Sequence, residues 1–267
     1  MGTNGTNGRS DTAANLTYTK FLFVLTYEDD STTLAKIRSA GSNIGRIFFN
    51  DYDADGTRDP QPQETIQFLF TDARGLPRKG IGAARFVAQV SANYRPRLEE
   101  VAFELKRRLS GSAEIIDLDG AERVPRYSSA EMQKFAYKPA LSRQSGRIAQ
   151  NAVILPMSKT AEWWEKSALE RHAYFYPHHE IASGCPVKGH ARAAEAGISR
   201  VFRRLYHNPD GYLRPNEFDF ITYFECTDEN LPVFDEMCCG LRDQRQNPEW
   251  RYVLEGPEWR GKRVLRW

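Results

Sequence analysis

The chain has 267 residues, 40% of them hydrophobic, enough to bury a sizeable core without disulfide or metal staples. Lysine and arginine number 37 against 35 aspartate and glutamate, so no overall excess of charge draws the protein to nucleic acid or a membrane surface. Four cysteines, two of them the neighbours Cys238 and Cys239, make no disulfide framework, and no apolar run reaches the ~18 residues of a spanning helix. The expectation is a reduced, cytoplasmic protein.

Residues 1–16 form a tail rich in Gly, Asn, Ser and Thr and are expected to be disordered. The opening Gly2 to Thr6 fits the loose N-myristoylation pattern, but this composition favours a plain tail over an anchor. Residues 17–27, TYTKFLFVLTY, read as a buried strand, and the polar DDSTT after them suits a helix cap ahead of Leu34. Ser42–Asn50, with its IGRIFF run, predicts a second strand, Glu64–Thr71 a third, and Ala84–Leu109 a helix with charges on one face. Between them Asp51, Asp53, Asp55 and Gly56 imitate the start of a calcium loop; Pro62 stands where its bidentate glutamate belongs, so a polar hairpin loop is expected.

After a linker near 125–148, AQNAVILPM (149–157) predicts a strong strand and Trp163–Tyr174 a helix. SRVFRRLYH (199–207) and FDFITYFEC (218–226) predict two strands joined by an Asn-Pro-Asp-Gly turn; residues 231–245 then predict a helix and WRYVLEG (250–256) a last strand. Strand, helix, strand, strand, helix, strand is the ferredoxin-like order. The expected fold is therefore α+β: two ferredoxin-like βαββαβ halves, residues 17–148 and 149–267, the first a looser copy of the second.

KTAEWWEKS (159–167), RRLYH (203–207) and DFITYFE (219–225), in that order, resemble the chlorite dismutase family, within a superfamily that includes coproheme decarboxylases. The family places a haem-ligating histidine thirteen residues before an arginine just upstream of the Leu-Tyr-His run, which here selects His190 and Arg203. The resemblance implies a dimeric α+β barrel-type haem protein with haem b as cofactor and chlorite as a small anionic substrate, split into chloride and dioxygen. It also implies a homopentamer. Trp163 and Trp164 resemble the family's tryptophan pair beside the porphyrin, and the glutamate that hydrogen-bonds the proximal histidine aligns with Gln246, or with Glu249 after a small shift. A further tryptophan of the family is missing unless Trp250 or Trp259 replaces it. Arg203 takes the place of the uncharged side chain usual in the decarboxylases, which favours chlorite chemistry over the alternatives of a decarboxylase-like haem enzyme or a non-catalytic haem carrier.

The residue chemistry supports the same pair. A neutral imidazole is a good axial ligand for haem iron, and one protein ligand leaves the opposite face open. Strand alternation puts Val201, Arg203 and Leu205 on one face and Phe202, Arg204 and Tyr206 on the other, so either Arg203 or Arg204 faces a pocket, with Arg203 favoured by the spacing. A guanidinium in a dry pocket holds an anion and stabilises charge developing on oxygen. About a dozen residues more than the family spacing separate the tryptophans from His190. They include His178, His179 and Cys185, expected in a loop that lines or covers the haem edge rather than at a metal.

Overall fold

The computed structural model describes residues 17–48, 65–72, 79–122, 151–179, 184–210, 217–264 and 267. The N-terminal tail, the Asp51–Asp59 motif and the 125–148 linker lie outside the described residues. In the first half, β1 (Tyr18–Thr26), α1 (Ser31–Phe48), β2 (Thr65–Phe70), β3 (Phe86–Ala92), α2 (Arg95–Leu109) and β4 (Ala113–Glu122) follow in order. The second half has β5 (Asn151–Lys159), short helices α3 (Ala161–Glu165) and α4 (Ala168–Ala173), and a ribbon of β6 (His178–His179) and β7 (Pro186–Val187). Helix α5 (Gly189–Ala193), β8 (Phe202–His207), β9 (Phe220–Cys226), α6 (Leu231–Arg242), β10 (Val253–Glu255) and β11 (Trp259–Val264) complete it.

Within the halves the strands run β4-β1-β3-β2 and β8-β9-β5-β11, the ferredoxin-like order twice, as expected. All pairings are antiparallel, and β4 with β8 and β11 with β2 join the halves edge to edge, closing an eight-stranded barrel to which β10 adds along β5. A barrel of this size is just wide enough to be filled by side chains. Phe21, Phe23, Phe202, Tyr206, Tyr223 and Trp259 fill it, and the Trp259 indole donates to Ala84 O at 2.8 Å. Any ligand must therefore bind outside the barrel wall.

Three expectations fail. Residues 42–48 of the predicted strand at 42–50 are the second half of α1, the last two lying outside the described residues: Leu34, Ile37, Ala40 and Ile44 recur at helical spacing and pack on Leu22, Val24 and Phe68, so tertiary packing overrides local β-propensity. Gly41 permits the approach, since a Cβ there would stand 2.8 Å from the Trp267 ring. The predicted helix from Ala84 begins only at Arg95; Phe86, Ala88, Val90 and Ala92 alternate along β3 onto the helix-covered face. The final strand is β11, not residues 250–256, which form a 3-10 turn (Pro248–Tyr252) and the short β10.

Candidate functional site

The helices cover the outer barrel wall unevenly. In the second half α6 presses Phe234, Met237, Cys238 and Leu241 onto Val153, Phe224 and Cys226. Beyond it the wall faces a cleft of about 520 Å3 counted to its open mouth, whose lining includes Met157, Phe175, His190, Arg203, Thr222 and Trp250. Two adjoining spaces of about 390 and 330 Å3 also have His190 and Arg203 in their walls. These two residues thus line all three spaces, each within the size range of ligand pockets, ~300–1,000 Å3.

His190 is held from three sides. Its backbone N–H donates to Tyr174 O at 2.9 Å, Lys188 and Gly189 both donate to Gln246 O at 3.0 Å, and the Phe175 ring lies 5.1 Å from the imidazole at 34°. Gly189 adopts φ 69°, and a Cβ there would meet Tyr176 O at 2.4 Å, so only glycine fits before the histidine. The imidazole Nδ1–H donates to Glu249 Oε2 at 2.8 Å, and the Lys159 ammonium donates to Glu249 Oε1 at 2.6 Å. Burial alone would raise the Glu249 carboxyl; Lys159 and then His190 outweigh it and hold the group at about 2. The ionised carboxylate fixes the Nδ1–H tautomer, which makes Nε2 the lone-pair nitrogen available to a Lewis acid.

Of the two residues aligned with the family's glutamate, Glu249 contacts the histidine side chain, while Gln246 acts through its backbone carbonyl. Arg203 and Leu205 face the groove, whereas Arg204 lies on the opposite face, with Nε 3.3 Å from Glu122 Oε1 and its guanidinium 4.8 Å from the Phe202 ring. Trp163 is fully buried, with the Lys159 ammonium 4.2 Å from its ring centroid. Trp164 is 46% exposed and donates to Asp219 Oδ2 at 3.3 Å, so neither tryptophan lines the cleft that the resemblance assigned to both. Trp250 does line it, and Trp259 belongs to the barrel interior.

Of the segment before His190, His178–His179 and Pro186–Val187 pair as the β6–β7 ribbon. His178 Nδ1 contacts Tyr176 O at 2.9 Å, Cys185 is exposed, and no three His, Cys, Asp or Glu side chains among the described residues gather as a metal site. The sequence reading assigned no role to Lys159 or Phe175. Lys159 ends the apolar strand β5, and a cation there that is buried requires a buried anion; that was the available signal. No helix among the described residues is long and apolar enough to cross a membrane.

Fold and groove together define a closed α+β barrel with a ligand cleft on its outer wall. Among solved structures the chain is similar to chlorite dismutase from Candidatus Nitrospira defluvii. An arginine-to-alanine mutant of that protein matches at 20% identity and TM-score 0.67, covering 95% of this chain and 92% of the other. Its complex with imidazole matches at 19% identity and TM-score 0.65, with coverage of 95% and 92%. A tryptophan-to-phenylalanine mutant in complex with cyanide matches at 18% identity and TM-score 0.66, also covering 95% and 92%. The chain has the chlorite dismutase fold. The sequence matches no protein-family model.

Proposed function

We propose that this protein is a haem-dependent oxidoreductase of the chlorite dismutase family that decomposes chlorite to chloride and dioxygen. The observation that carries the reading is the triad Lys159–Glu249–His190 at the wall of a groove that also exposes Arg203. The donor set fits an iron porphyrin. A single imidazole backed by a buried carboxylate would hold the iron, and Phe175, Leu205, Phe220 and Trp250 are among the apolar side chains that would pack against the porphyrin. Solved forms of the Nitrospira protein carry imidazole and cyanide, both ligands for iron.

Haem, when bound, supplies the oxygen-atom transfer chemistry that chlorite decomposition needs. His190 would hold the iron through Nε2, and Glu249 would lend the ring imidazolate character by accepting the Nδ1 proton's hydrogen bond. Lys159 keeps Glu249 ionised at neutral pH. Arg203 would draw the anion into the groove and stabilise negative charge on its oxygens. Leu205, Met157 and Phe220 exclude water and strengthen that attraction.

The test is dioxygen evolution on adding chlorite to haem-reconstituted protein, beside His190→Ala and Arg203→Ala. Oxygen release that Arg203→Ala suppresses, and that disappears with haem occupancy in His190→Ala, is the expected result. Haem held through His190 with no oxygen release overturns the chlorite assignment and leaves the haem site standing. The cytoplasmic location and the homopentamer belong to the same proposal; sedimentation of the full chain measures the assembly.

A further inference from the structure

Near the middle of the cleft wall a hydroxyl stands among apolar side chains. Along β9, Phe220, Thr222 and Phe224 alternate onto the cleft face, and Thr222 pairs across the sheet with Leu205 of β8 and Leu155 of β5. Thr222 is 4% exposed, and its hydroxyl makes no hydrogen bond among the described residues. Valine has the same shape and would fill the position without burying a hydroxyl, which costs free energy when it is left unpaired. A hydroxyl held there serves a ligand of the cleft better than it serves the packing of the wall.

Arg203 defines the chemistry of that ligand as anionic. It pairs with Phe224, two residues along from Thr222, so Arg203 and Thr222 are diagonal neighbours on the same face, about 7 Å apart where their side chains leave the sheet. Both line the two larger spaces, together with Met157, His190 and Trp250. A guanidinium and a hydroxyl at that separation converge on an anion that offers two acceptor atoms. We propose that Thr222 is a second anion-binding residue of the cleft, its O–H donating to one oxygen of a bent oxyanion whose charge Arg203 holds. Arg203 supplies attraction for any anion; Thr222 orients the bent ones and favours them over anions with a single free acceptor atom. The inference rests on the haem reading above and deepens it.

The experiment loads the full chain with ferric haem and titrates it with nitrite, a bent oxyanion, and with cyanide, which offers one terminal acceptor, following the Soret band in wild type, Thr222→Val, Thr222→Ser and His190→Ala. Thr222→Val should bind nitrite about tenfold or more weakly, the value of one hydrogen bond to a charged group, and cyanide within about twofold of wild type. Thr222→Ser, which keeps the hydroxyl, should retain most of the nitrite affinity. Urea unfolding of haem-free Thr222→Val should show a midpoint at or above that of wild type, because the fold itself makes no use of the hydroxyl. Unchanged nitrite affinity in Thr222→Val, equal losses for nitrite and cyanide, Thr222→Ser as weak as Thr222→Val, or a lowered unfolding midpoint overturns the inference alone. A wild type that takes up no haem, or takes it up no better than His190→Ala, overturns the haem reading with it.

Discussion

Replacing Glu249 by Gln tests the charge relay behind His190 directly. The carboxyl ionises at about 2 in the folded protein against 4.5 ordinarily, which at ~1.4 kcal/mol per tenfold corresponds to about 3 kcal/mol of folding stability. The side chains of Glu249 and Lys159 are 4% and 3% exposed, so solvent screens little of this, and a buried ammonium stripped of its carboxylate costs a comparable ~3–5 kcal/mol. Because the folded carboxyl is the stronger acid, its contribution is complete above pH 4.5 and drains away as pH falls toward 2. Urea unfolding of the haem-free protein at pH 7 should therefore show Glu249→Gln less stable by about 3 kcal/mol, with the gap to wild type closing between pH 4.5 and 2. The double variant Lys159→Met/Glu249→Gln should recover much of the loss, since it leaves no lone buried charge. A single variant within ~1 kcal/mol of wild type, or a double variant no more stable than the single, refutes the reasoning.

Arg203→Ala should leave unfolding within ~0.5 kcal/mol of wild type while cutting chlorite turnover by ~100-fold or more. Arg204→Ala should do the reverse, costing about 1 kcal/mol through its lost packing and its pair with Glu122, with turnover retained; urea melts and an oxygen electrode separate the two. Gly189→Ala should cost about 1–3 kcal/mol from the φ of 69° alone and should weaken haem retention, read from the Soret band, because the clash at Tyr176 O displaces His190. Native protein should expose Cys185 and Cys239 to a thiol reagent and protect Cys226 and Cys238, whose thiols burial pushes up to about 11 and 12. Four equally fast thiols would refute the packing of α6.

The second half was legible in the sequence and the first half much less so. Strands β5, β8 and β9 announce themselves as apolar runs, and alternation along β8 correctly separated Arg203 from Arg204 before any coordinates. Strand β4 gave no such signal: Asp117 and Asp119 interrupt its apolar pattern, and they belong in a sheet only because Lys20 of β1 lies against them, with Nζ 2.6 Å from Asp119 Oδ1. Ile44 and Gly45 of the IGRIFF run lie on a helix for a similar reason, since their packing partner Phe68 comes from β2. At the candidate site, the family spacing pointed to His190 and Arg203, which line the same cleft. It could not choose between Gln246 and Glu249, because the choice depends on how the 3-10 turn Pro248–Tyr252 brings Glu249 back toward α5 and β5. Pairings remote in sequence are where local reasoning stops.

The near-twofold repetition of the fold makes the placement of the site a question of what differs between the halves. In the first half, among the described residues, one long helix, α1, follows the first strand and covers the outer wall, with Ile37, Ala40 and Ile44 among the buried residues over Leu22 and Phe68. In the second half the same crossover is broken into α3, α4, the β6–β7 ribbon and α5, none longer than six residues. Among the described residues no continuous helix takes the place of α1, and Met157, Arg203 and Thr222 of three neighbouring strands face a cleft instead of a core. The broken crossover also returns the chain to the cleft as α5, where the carbonyls of Tyr174 and Phe175 receive the His190 and Ala191 N–H groups and set His190 at the wall. With the barrel interior filled, this wall is where a large flat ligand can be buried, and the segment that opens the cleft is the segment that supplies its histidine.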